Sequence, residues 1–174
     1  MIDALAQARP VRLMGFDVDG VLTDGALYLT DQGAEIKAFH ALDGLGLQLL
    51  REAGVELALV SGRNSPAVAA RAASLGVARV YQGVHDKLAV FERVRTELGL
   101  EPRACGFMGD DLPDLPVLLR CGFAASVPEA PEAVRSRVHY VSRSSGGRGA
   151  AREVCELILR AQGALESSVA RYLA

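Results

Sequence analysis

The distribution of apolar positions along the chain switches repeatedly between two periods. Val11–Phe16 is a near-continuous apolar run, the pattern of a parallel strand covered on both faces. Glu56–Gly62 and Ala104–Asp110 repeat it, and shorter runs lie around Tyr81, from Phe123 and from His139. Helical spacing fills the intervals. Asp43–Ala53 carries leucines at 45, 47, 49 and 50. Ser65–Leu75 opens on a serine cap followed by Pro66. Asp86–Leu98 stops at Gly99, and Leu115–Arg120 and Gly149–Gln162 complete the set. This alternation predicts an α/β fold, a doubly wound parallel sheet with right-handed crossovers.

One segment departs from the rhythm. Ala26–His40 alternates apolar and polar residues about Asp31-Gln32-Gly33, which is hairpin chemistry. A hairpin projecting after the first strand lies over the carboxyl edge of the sheet, where ligands bind in such folds. Ser142–Gly149 is polar and glycine-rich, either a linker or a mobile lid at Gly146-Gly147, and the tail 163–174 is weakly patterned.

Composition narrows the classes. A chain of 174 residues, half of them apolar, suits one domain spanning 1–174. The net charge of −2 invites neither nucleic acid nor an anionic membrane. No run approaches the roughly 18 apolar residues of a membrane span. Cys105, Cys121 and Cys155 are odd in number and widely spaced, so they are expected to be free thiols in a reducing cytoplasm.

The strand ends carry the chemistry. The first delivers Asp17 and Asp19, the second Ser61-Gly62-Arg63, and the third Gly109-Asp110-Asp111 with Asp114 following. Lys87 opens the helix after Tyr81. In an open parallel sheet these ends face one crevice. Crowded acids repel unless a cation sits among them, and hard oxygen ligands suit Mg2+. Ser61 and Lys87 then fit phosphate oxygens. An aspartate can attack phosphorus while a second acid moves the proton, a division open to Asp17 and Asp19. Plainer roles stand beside these. Asp17 and Asp19 alone would suit a turn, Asp111 and Asp114 a helix cap, His40, His85 and His139 packing, and Arg63 and Arg71 the surface.

Phe16–Gly25, "FDVDGVLTDG", resembles the first motif of the haloacid dehalogenase superfamily of phosphohydrolases. "LVSGR", Lys87 and "GDDLPDLP" resemble its second, third and fourth motifs in order. Lys37–Leu50, Tyr81–Lys87 and Ser144–Gly163 are further similar to the 3-deoxy-D-manno-octulosonate (Kdo) 8-phosphate phosphatase family within it. The resemblance implies a haloacid dehalogenase-like sheet and hydrolysis of a sugar acid phosphate through an aspartyl-phosphate. It makes Asp17 the nucleophile and a Mg2+ ligand. Asp19 becomes general acid and base, touching substrate and lending its backbone carbonyl to the metal, and Asp110 completes the ligands. Asp111 and Asp114 would hold metal-bound waters or orient Lys87. Ser61 and Lys87 take the phosphate, while His40, Ala41, Leu42, Asp43, Gly44, Arg63 and Arg71 contact the sugar phosphate.

Leu42 stands where relatives often carry arginine, Gln48 where a base is common and Ser145 where histidine is common, which keeps a nonulosonate 9-phosphate open as substrate. Gly25–Val60 holds only the hairpin and one helix, leaving no room for a cap domain. The resembling enzymes close such a site by forming homotetramers, and the same is expected here. Two other classes stay in view: a non-catalytic oligomerisation module like those fused to cytidylyltransferases, and a phosphoacceptor receiver. The retained acids and Lys87 speak against the first, the DxD order and the hairpin against the second.

Overall fold

In the computed structural model residues 3–173 are described. The first two residues and the last of the expected 1–174 domain, the last also ending the 163–174 tail, lie outside the described residues. Along the chain run α1 (Ala4–Ala8), β1 (Leu13–Phe16), a hairpin of β2 (Tyr28–Leu29) and β3 (Glu35–Ile36), α2 (Ala41–Glu52) and β4 (Glu56–Val60). Then come α3 (Pro66–Leu75), β5 (Arg79–Tyr81), α4 (Lys87–Glu97), β6 (Cys105–Met108) and α5 (Leu115–Leu118). The chain continues with β7 (Phe123–Ser126), α6 (Glu132–Arg135), β8 (Tyr140–Val141), α7 (Ala150–Ala161) and α8 (Leu165–Ala170).

The central sheet is parallel, in the order β5-β4-β1-β6-β7-β8. This is the doubly wound α/β architecture expected, with β2 and β3 forming a separate antiparallel pair. Right-handed crossovers put α2 and α3 on one face and α4 and α5 on the other. β1, β6 and β7 are buried throughout, so their apolar runs need no alternation. Gly15 makes the centre close: a methyl there would fall 2.5 Å from the Phe107 ring and 2.8 Å from Phe91. Those two rings instead meet edge to face at 5.4 Å, a favoured aromatic geometry. α7 turns an apolar face inward, burying Val154, Cys155, Leu157, Ile158 and Leu159, and packs along α2. The thiols of Cys105 and Cys155 are buried and Cys121 is half-buried, all three free, and burial pushes the Cys105 thiol up to about 11.

Register builds the working edge. Phe16 lies opposite Leu59 on one side and Met108 on the other. The residues that follow therefore leave the sheet together, and the Asp17 amide still donates to the Met108 carbonyl at 2.9 Å. The structure adds three short helices, α1, α6 and α8, in stretches whose periodicity is too brief to read, and α2 begins at Ala41, before the expected Asp43.

Candidate active site

Beyond the ends of β1, β4 and β6 lies a cavity of about 540 Å³ bordered by Asp17, Asp19, Arg63, Lys87, Asp110 and Asp114. His85, Gly62 and Pro113 also line it. Lys87 is its hub. The ammonium donates to Asp17 Oδ1 at 2.8 Å and to Asp114 Oδ1 at 2.7 Å, with all three side chains buried. Burial alone would lower the Lys87 pKa, but the two carboxylates outweigh it and raise it. Asp114 spends its other oxygen on the backbone N–H groups of Asp110 and Asp111, at 3.0 and 3.2 Å. Asp111 caps the following turn through the Leu112 amide at 2.8 Å. Capping and orientation of Lys87 thus coexist in this loop.

Asp17 and Asp110 are held differently. Burial, followed by the charge of Asp114, pushes Asp17 up to about 6 against the pull of Lys87. Burial, followed by the charges of Asp17 and Asp114, pushes Asp110 up to about 8. Asp110 Oδ1 is buried with no hydrogen-bond partner. One carboxylate oxygen from each of Asp17, Asp110 and Asp114 lies within 4.8 Å of the others. Asp114 has both oxygens engaged, which leaves Asp17 and the orphaned Asp110 oxygen as the groups in want of a cation. An all-oxygen donor set with an unsatisfied buried acid fits Mg2+. Gly20, with a φ of +92°, leaves room for this: a methyl there would sit 2.1 Å from Asp110 Oδ2.

Asp19 points elsewhere. Its carboxylate pairs with Lys37 from the hairpin, which also binds Glu35 at 2.7 Å, and receives a long hydrogen bond of 3.5 Å from Ser61 Oγ. Ser61 is buried and accepts the Arg63 amide at 3.1 Å. Sequence reasoning passed over Lys37. Its only signal is local: Glu35 and Lys37 stand two apart in a strand pattern and so share a face.

The sugar-side candidates are more scattered. His40 caps α2 by backbone geometry, and its Nδ1 is buried without a partner. Arg71 from α3 reaches the His40 carbonyl at 3.4 Å and packs on Gly44, where a methyl would be 2.1 Å from its Nη2. Ala41 and Leu42 are exposed on the first turn of α2. Asp43 is buried, with its carboxylate on the backbone of α7. None of these four residues, His40, Ala41, Leu42 or Asp43, borders the catalytic cavity within this single chain, nor does Gly44 or Arg71. Arg63 does, with its guanidinium 3.6 Å from Glu35.

Comparison with known proteins points to one family. The haloacid dehalogenase-like hydrolase family profile matches residues 45–122. The chain is 41% identical to 3-deoxy-D-manno-octulosonate 8-phosphate phosphatase KdsC of Escherichia coli, over 95% of this chain and 88% of the relative. The crystal structure of 3-deoxy-D-manno-octulosonate 8-phosphate phosphatase from Moraxella catarrhalis, in complex with magnesium, phosphate and Kdo, superimposes with a TM-score of 0.96. It is 42% identical, and 99% of each chain is covered. A probable YrbI family phosphatase from Pseudomonas syringae gives the same TM-score at 47% identity, covering 98% of this chain and 97% of its own. With this likeness along nearly its whole length, and with Asp17, Asp19, Lys87 and Asp110 brought to one cavity at the edge of the sheet, the chain belongs to the Kdo 8-phosphate phosphatase family of haloacid dehalogenase-like hydrolases.

Proposed function

We propose that this enzyme hydrolyses 3-deoxy-D-manno-octulosonate 8-phosphate to Kdo and inorganic phosphate. The observation that carries this reading is the cluster of Asp17, Asp110 and Asp114 around Lys87, at the edge the sheet register defines. Asp17, Asp110 and the Asp19 backbone carbonyl would hold Mg2+, which would supply positive charge to offset the acids and polarise the phosphoryl group. Asp17 is the nucleophile: a carboxylate oxygen forms the new bond to phosphorus as the ester P–O bond breaks. Asp19 gives its proton to the departing sugar oxygen, then takes one from the water that cleaves the aspartyl-phosphate. The Lys37 ammonium occupies this carboxylate in the free chain, so that ion pair opens for Asp19 to reach the leaving oxygen. Ser61 and Lys87 hold phosphoryl oxygens, with Asp114 and Asp111 keeping Lys87 and its loop in place. Arg63, Arg71 and the α2 entry at His40, Ala41, Leu42 and Gly44 serve the sugar acid.

Those last groups support a second proposal, that the chain, one domain over 1–174, works as a homotetramer in the cytoplasm. Leu27, Tyr28, Leu29 and Ile36 of the hairpin are exposed apolar groups, more than a two-stranded element leaves to water without use. A neighbouring copy seated there would bring a second surface to an otherwise open cavity. A nine-carbon sugar acid phosphate is the alternative substrate, Leu42 being an exposed, uncharged residue on the first turn of α2. Phosphate release from a panel of eight- and nine-carbon sugar acid phosphates with Mg2+ tests both. Asp17→Asn is expected to lose more than about 10³-fold in turnover. Hydrolysis surviving in that variant overturns the nucleophile, and preference for a nine-carbon ester overturns the Kdo substrate alone.

A further inference from the structure

Asp43 lies on α2, far along the chain from α7, yet both of its carboxylate oxygens are used there. Oδ2 accepts the Gly149 amide at 3.1 Å and Oδ1 the Arg152 amide at 2.9 Å. The residue is only 2% exposed. α7 has no side-chain cap of its own, because its N-cap position is Gly149. A helix start leaves several backbone N–H groups without partners, and a carboxylate offsets both the missing bonds and the helix dipole. Gly46, one turn further along α2, lets the helices close, since a methyl there would stand 2.9 Å from the Arg152 backbone.

The segment that Asp43 ties down leads to the catalytic motif. Before α7, Arg143 and Ser144 donate their amides to Glu153, each at 3.0 Å, so a second carboxylate grips the beginning of the same loop. Between these two anchors the loop lies on the turn after β1. The Gly147 amide donates to the Val21 carbonyl at 2.9 Å, and a methyl on Gly146 would stand 1.9 Å from the Gly20 carbonyl oxygen. Ser145, Gly146 and Arg148 then line a second cavity of about 540 Å³, which shares Gly25, Asp110 and Asp111 with the catalytic one. A fully engaged, buried carboxylate has nothing left to offer a sugar.

We infer that Asp43 is a positioning residue: it caps α7 from α2 and so fixes the 143–149 loop as a wall of the cavity that adjoins the catalytic one. This deepens the phosphatase reading and rests on it for its kinetic half. The test measures amide exchange and kinetics in the full-length Mg2+-loaded protein. Asp43→Ala removes both acceptors, and Asp43→Asn keeps one and remains usable where the alanine variant does not fold. Exchange at Gly149 and Arg152 is expected to rise about fivefold or more in either variant. kcat/KM for Kdo 8-phosphate is expected to fall about tenfold, chiefly through KM, with a smaller loss for p-nitrophenyl phosphate, which has no sugar. The same kinetic loss with exchange unchanged overturns the inference and makes Asp43 a direct sugar contact. Faster exchange with unchanged kinetics, or equal losses on both esters, also overturns it. Failure of the unaltered enzyme on Kdo 8-phosphate defeats the substrate reading alone. The anchor is then judged on exchange and on whichever sugar acid phosphate the enzyme does hydrolyse.

Discussion

Asp110 combines burial, two acidic neighbours and an oxygen with no donor, and each of these favours its protonated form in the metal-free protein. Its folded-state pKa of about 8 and that of Asp17, about 6, lie above the ordinary 3.8 of an aspartate. The folded state therefore binds these protons more tightly than the unfolded chain, and stability falls as pH rises from near 4 through 8. In chelator, the urea midpoint is expected to be higher at about pH 5 than at about pH 8.5, and Mg2+ is expected to recover most of the difference. A metal-free midpoint that climbs over this range contradicts the arrangement. At this same scale the sequence was informative where chemistry is local to a strand end. Asp17, Asp19, Ser61, Lys87 and Asp110 could be picked out because each follows an apolar run or opens the next helix. Lys37 and Asp43 could not be assigned their contacts. Their partners are distant in sequence, and an acid capping a helix it does not belong to leaves no local pattern.

Among the elements, the loop entering α7 shows how a glycine pair can be fixed by backbone contact rather than by flexibility. Read as sequence, Ser142–Gly149 suits a linker or a moving lid; in the structure it is seated on the turn after β1 and held by Glu153 and Asp43. A methyl at Gly146 meets backbone, which cannot swing aside as a side-chain tip can. Gly146→Ala is expected to cost about 1–3 kcal/mol, the usual penalty for overpacking, in a urea titration. A cost near zero would mean the loop lifts freely. The sheet and its major helices were readable because continuous apolar runs and 3.6-residue spacing both extend over enough residues to be distinguished. α6, with four residues, and α8, with six, are too short to show a period. The hairpin was readable from its turn chemistry, although its paired strands are only two residues each.

For the molecule as a whole, the short segment between β1 and β4 makes closure of the site a matter of assembly. With a hairpin in place of a cap domain, a single chain leaves the cavity beside Lys87 facing solvent, and the α2 residues expected to meet sugar stand away from it. The proposed tetramer would bring a second copy's surface to the open side of that cavity. Replacing Leu29 and Ile36, 64% and 56% exposed, by aspartate is expected to convert the particle to its 18.4 kDa monomer in sedimentation. KM should rise about tenfold or more with the metal site intact. An unaltered protein that sediments as a fully active monomer would exclude the assembly.

The hairpin tip offers one practical consequence. Gly33 has a φ of +79° and open space beyond it, with no atom within 4 Å of where a side chain would begin. Extra peptide spliced in there would burden neither the sheet nor the carboxylates, since loop tips tolerate insertion. Such a graft gives a handle for attaching dyes or surfaces to this enzyme, and its bulk would report whether that tip is crowded by sister chains.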